Sequence, residues 1–290
     1  MLRPAGIAAA WQDPHMSHTD TDYGAEGGSS DLTHDAILEA LERELARMVR
    51  LAGSTDPHME IPTCPGWDAA ELMEHLGGVH RWAAEILRTR PSERISRRGL
   101  DIRAPTDGRW DHWIREGADR LLEALAETPA DTPLWAWGPD HHARWWARRT
   151  LHETVVHGAD LVLASGGSVS VEPLVAADCI CELLDNTPAR LRWPDAVRPT
   201  SEASVHLHAT DATPVGPRQA PLGDRGEWMV EMTGGGVGWS HAHGKGDAAV
   251  RGPVVELMLV MNRRVTAHSA GVEVFGSTTV LDELLAAVGH

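Results

Sequence analysis

The period of the hydrophobic pattern changes once along this chain, and no other feature limits the possible folds as much. From Leu32 to about residue 170 apolar side chains recur every three or four residues, whereas between Ser204 and Arg251 they alternate in short runs. The first spacing lines one stripe of a helix and the second lines one face of a strand. In the first region Ile37, Leu38, Leu41, Leu45, Met48 and Val49 predict a helix between a cap at Asp31 or Thr33 and a stop at Gly53. The segment IPTCPGW interrupts it, because two nearby prolines deny the backbone helical hydrogen bonds. Further helices are predicted from about Asp68 (AAELMEHLGGVHRWAAEILRT), over WDHWIREGADRLLEALAET, from near Ala143 to Gly166, and within 172–192. Beyond these, SVHLHATD, EWMVEMTG and DAAVRG read as strands between Gly, Pro and Asp turns. PVVELMLVMNRRV is an apolar helix, GVEVFGS a strand and TTVLDELLAAVG a closing helix.

The expected class is therefore α+β: a disordered leader over residues 1–31, a helical domain over 32–195, and a smaller α+β domain over 196–290. A formal net charge of -16 argues against nucleic acid as a partner, since such a field repels polyanions. No window approaches the roughly 18 uninterrupted apolar residues of a membrane helix, so no membrane span is expected. Cys64, Cys179 and Cys181 form no even disulfide set, and the N-terminus shows no secretory pattern, which points to the cytoplasm. Twelve Trp stand against one Tyr and one Phe. Coding bias accounts for that excess more readily than a cofactor box, although some of the indoles can wall a pocket.

Glu153 and His157 lie four residues apart and so share one helix face, and His75 lies on the apolar side of another helix. Inward His and Glu on facing helices are how bundles build metal sites, and one Glu with two His leaves coordination positions open. HETVVH is not H-E-x-x-H, because His152 and His157 are five apart, so a metalloprotease is excluded by the spacing. With 17 histidines in the chain, pattern alone leaves the choice open between a metal site, a surface pair and a hydrogen-bonded core histidine.

IPTCPGWDAAELMEHLGGVHRWAAEIL, LHETVVHGADLVLA, and AAVRGPVVELMLVMNRR with GVEVFGSTTVLDELL, in that order, resemble the maleylpyruvate isomerase N-terminal family, a mycothiol-dependent branch of the DinB-like four-helix bundles. The likeness runs from about Thr33 to the end. It implies a DinB-like four-helix bundle followed by a smaller α+β domain, with a divalent metal, generally Zn²⁺, on His75, Glu153 and His157. It places Asp160 where a hydrogen-bond acceptor for a ligand imidazole is expected. Asn262-Arg263 stands where the family's helix usually ends in Gly-Arg, making Arg263 the candidate catalytic anion binder.

What the resemblance implies chemically is a zinc-bound thiolate of mycothiol, a stronger nucleophile than a thiol of pKa about 8.5. The partners are then a small-molecule thiol and a small electrophilic substrate, in a monomer or homodimer. S-transfer or thiol exchange is placed first and cis-trans isomerisation of the maleylpyruvate type second. A non-catalytic thiol-binding or regulatory module with structural metal is the alternative class, and a hydrolase using zinc-bound water would need a general base. Trp82, Trp145, Trp146, Arg97, Arg98 and Arg103 are candidates to line the pocket, with Trp82, Arg97 and Arg103 placed at the cofactor. Cys64, in the segment that fixes the helix entry, is not taken as a nucleophile.

Overall fold

The computed structural model of the protein describes residues 32–97, 100, 102–211, 222–269 and 271–289. The leader expected over 1–31, and Arg98, lie outside them. The chain divides into two compact units, one spanning Leu32–Ser170 and the other containing Val171–His290.

Four helices make the first unit: α1 (His34–Ser54), α2 (Ala69–Thr89), α3 (Trp110–Ala126) and α4 (Ala143–Ala164). Each start and stop has a local cause. Thr33 accepts from the Ala36 amide at 3.2 Å, and Asp68 and Glu71 form a reciprocal capping box at the head of α2. α2 ends at Arg90 in the left-handed conformation. IPTCPGW folds back on itself through Ile61 N to Trp67 O, Cys64 N to Ile61 O and Trp67 N to Cys64 O, which aims the chain into α2. α1 packs on α3 and α4, and α2 on the same two helices. α4 differs from the others, for it is buried almost all round, from Trp145 to Leu161. Polar groups on such a helix must find partners inside the protein.

The second unit contains α5 (Pro173–Arg190), β1 (Ala203–Ala209), β2 (Glu227–Thr233), β3 (Gly236–Ser240), β4 (Ala248–Gly252), α6 (Val254–Met261), β5 (Glu273–Gly276) and α7 (Thr278–Val288). The strands form one mixed sheet in the order β3-β2-β1-β4-β5, with β1 and β4 parallel and the other pairs antiparallel. Val205, Leu207, Trp228, Val230 and Val250 are buried at alternate positions, and the helices pack on the sheet.

Three details depart from expectation. The boundary lies after Ser170 rather than at 195/196, because α5 packs on α6, α7 and β3 and Arg190 donates to Gly289 O at 2.9 Å. A helical period shows that a segment is a helix without showing which core it joins. α6 stops at Met261, since Arg263 takes a left-handed φ of 58°, so the apolar helix expected to run through Val265 ends earlier. β3, a glycine-rich run with Val237 and Trp239, was not among the expected strands.

Candidate metal centre

α4 carries Glu153 and His157 one turn apart, and α2 brings His75 to face them. One ligand atom from each of the three lies within 4.8 Å of the others. His157 Nε2 is 3.2 Å from Glu153 Oε2, and the His75 and His157 rings meet edge to face with centroids 5.1 Å apart. The residues singled out from the sequence as a ligand set are thus together in space.

Each is held by a neighbour. Asp160, on the next turn of α4, takes His157 Nδ1 at 2.9 Å and also accepts from Cys64 Sγ at 3.6 Å. Arg149, one turn before Glu153, donates to its Oε1. Trp67 stands beside His75 with ring centroids 5.2 Å apart. Arg149, Trp67 and the Cys64 thiol were not picked out from the sequence. The spacing Arg149-Glu153-His157, four and four, was the available signal for the arginine.

The electrostatics follow from burial and pairing. Burial pushes His75 down to about 3, helped by the neighbouring His157, so its ring is neutral. Burial works against the ionised form of Glu153, but Arg149 and His157 hold its carboxyl well below the usual range. Burial likewise works against a charged His157, yet its bonds to Asp160, Cys64 and Glu153 hold its pKa well above that of a free imidazole. A neutral imidazole, an ionised carboxylate and a second imidazole oriented by a carboxylate make a donor set that fits a divalent metal. His75, Glu153 and His157 would hold such an ion, and a proton on His157 would compete with it.

The remaining candidates fall in different places. Arg97 is half-buried against α2, its Nη2 lying 2.3 Å from where a Cβ on Gly78 would stand, and the Glu153 carboxylate acts on its charge. Gly78 therefore makes room for this guanidinium. Arg103 is exposed and lines a separate open cavity of about 450 Å³ with Asp107, Arg109, His112, Trp113 and Glu116. Trp82 is 2% exposed, donates from Nε1 to Ile95 O at 3.0 Å and packs edge to face on Trp146, so its indole is part of the core. Trp145 and Trp146 belong to the same buried aromatic cluster, with Trp135 and Trp137. Arg263 sits in the second unit just after α6, exposed, its stem lying where a Cβ on Gly289 would be.

Fold and site together define a class: a two-unit α+β protein whose helical unit encloses a His-Glu-His donor cluster. The chain belongs to the family described as the mycothiol maleylpyruvate isomerase N-terminal domain, whose model matches residues 38–162, and the model of the MDMPI C-terminal domain matches residues 175–283. Among solved structures, the chain is similar to a crystal structure of the mycothiol-dependent maleylpyruvate isomerase, at 14% identity and a TM-score of 0.53, covering 84% of this chain and 93% of that one. A structure of that enzyme with one histidine replaced by alanine is similar at 12% identity and a TM-score of 0.53, covering 84% and 94%. At such identities the likeness is one of fold. No curated protein sequence matches the chain.

Proposed function

We propose that this protein is a mycothiol-dependent metalloenzyme that adds the thiol to a small electrophilic metabolite, with His75, Glu153 and His157 as the ligands of a divalent metal, zinc by the chemistry of the donors. The observation that carries this is the convergence of the three donor atoms within 4.8 Å inside the helical unit of a chain from this family. A divalent metal bound there supplies a Lewis acid that lowers the pKa of a thiol reaching its open position. The protein's own side chains do the rest. Asp160 fixes the His157 ring, Arg149 keeps Glu153 ionised, and the apolar face of Trp67 beside His75 limits water. Arg97 offers a cation near Glu153 for an acidic group on the substrate or the thiol.

S-transfer or thiol exchange is the first reading: the sulfur forms a bond to an electrophilic carbon, and the displaced group leaves with the electron pair of the broken bond. Isomerisation is the second, favoured by the name of the two similar structures. There the thiolate adds to an electron-poor double bond, rotation follows, and elimination regenerates both thiolate and alkene with no net redox change. Both need the same activated thiol.

Metal analysis of the purified protein, followed by incubation of zinc-loaded protein with mycothiol and a panel of electrophiles including maleylpyruvate, tests the proposal. Stoichiometric zinc, the loss of one equivalent in His75→Ala, and zinc-dependent formation of conjugate or isomer are expected. Full metal content in His75→Ala would overturn the ligand assignment. Thiol binding without turnover of any electrophile would replace the enzyme by a thiol-binding module.

A further inference from the structure

A second group of metal-ligating side chains lies in the other unit, on residues that the chemistry above does not use. Two H-x-H motifs occur there, HLH within β1 and HAH after β3. His206 and His208 are two apart on β1, so both point to the same sheet face, opposite the buried Val205 and Leu207. β2 pairs with β1 so that Glu227 stands directly across from His208. Its carboxylate is the hub of the cluster. Oε2 lies 2.9 Å from His206 Nε2 and 2.6 Å from His243 Nδ1, and Oε1 lies 3.3 Å from His208 Nδ1. One ligand atom from each of the four residues falls within 4.8 Å of all the others.

His243 arrives on the 241–247 loop, and that loop is tied down on both sides of it. His241 Nδ1 bonds to Glu227 O at 2.9 Å. Asp247 accepts from the amide and hydroxyl of Ser204 at 2.9 and 3.0 Å. At Gly246 the loop crosses β1 so closely that a Cβ would stand 2.9 Å from His206 N and 3.0 Å from Ser204 O. The close crossing demands glycine and sets His243 over the strand pair. The His206 and His243 rings meet at 87° with centroids 5.4 Å apart. The neighbouring cation on that face, Arg251 in register with His208, has its charge met by Glu273 at 3.7 Å.

We propose that His206, His208, Glu227 and His243 form a binding site for a first-row divalent transition metal, separate from the cluster in the helical unit. Three imidazoles and one carboxylate are the donors that such ions prefer, whereas calcium and magnesium seek oxygen ligands. Four donors from a strand pair and a tethered loop suit the tetrahedral preference of zinc. No net proton loss is required of a neutral imidazole, because the hydrogen now facing Glu227 can move to the other ring nitrogen. Side-chain exposure rises from 8% at His206 through 22% at Glu227 and 32% at His208 to 79% at His243, so the site has a buried floor and an open mouth through which an ion can exchange. Its effect is to clamp the 241–247 loop onto the β1–β2 pair.

Equilibrium dialysis of the full-length protein against Zn²⁺ alone tests this independently of the enzyme assay. A His157→Ala background, which disables the helical cluster, is expected to keep one equivalent of zinc. Adding His208→Gln and His243→Ala should weaken that equivalent by more than the roughly tenfold that loss of an outer-shell partner costs. In the otherwise natural chain, His243→Ala should lose the same equivalent; its side chain is exposed, so the unchanged fold can be checked by circular dichroism. Zinc binding unaltered by His243→Ala and His208→Gln would overturn the proposal, as would no zinc bound by the folded His157→Ala protein. Neither result would touch the assignment in the helical unit, which is read from His75→Ala.

Discussion

Asp160 holds the His157 ring in place, and it does so from a fully buried position with a second bond to Cys64. Asp160→Asn keeps the size but loses the charge that orients Nδ1–H, and zinc affinity is expected to drop by about 10–100-fold with the helical fold retained, as measured by competition with a chelating dye. His80 gives a stability prediction of defined sign. It is fully buried between Thr154, 3.0 Å from Nε2, and the charge of Arg81, and burial together with that charge pushes its pKa down to about 3. The unfolded chain takes up a proton near pH 6.5 that the folded one refuses. Its contribution is therefore complete above pH 6.5 and is lost as the pH falls toward 3. Denaturant midpoints from pH 7 to 4 should fall less steeply in His80→Leu than in the natural protein.

At the scale of elements, the paired glycines of α2 do different work. A Cβ at Gly77 would enter the Trp113 ring at 2.2 Å, and that ring is itself clamped by Arg81, 4.0 Å above it. A Cβ at Gly78 would collide with the movable end of Arg97 and otherwise meet Ile102 Cδ1 at an ordinary 4.0 Å. Gly77→Ala is thus expected to cost about 1–3 kcal/mol in chemical denaturation, as overpacked cores do. Gly78→Ala should leave the melting curve nearly unchanged and instead raise KM by shifting the guanidinium. Helix positions were legible because caps and stripes are local: Asp68 with Glu71, and Thr33 with Ala36, signal their helices within one turn. The donor cluster was legible only in part, since Glu153 and His157 share a face by spacing while His75 reaches them through the packing of α2 on α4. Trp82 shows the converse. Its spacing placed it on the same broad face as His75, but the indole turns into the cluster with Trp135 and Trp146.

For the molecule as a whole, two properties bear on the proposed metal site. Because His157 in the metal-free protein holds its proton to a raised pKa, protons and metal compete for it. Above that pKa zinc binds without displacing a proton from His157; as the pH falls through it, the apparent affinity of the helical site should weaken by about tenfold per pH unit, which a zinc titration at several pH values in a His243→Ala background will show. The net charge of -16 favours the approach of cations and disfavours polyanions. Among the described residues no helix is long and apolar enough to cross a membrane, in keeping with the hydropathy of the sequence.

The sequence by itself determined the order and kind of nearly every element, since apolar period, capping and proline placement act over a few residues. It also carried the family likeness and with it the three donors on two helices. The tertiary structure alone decided which core α5 joins, that the Trp82 indole turns into the interior, and that Glu227 gathers His206, His208 and His243. Those outcomes depend on strand register and on contacts between residues far apart in the chain, where no local spacing records who the neighbour is.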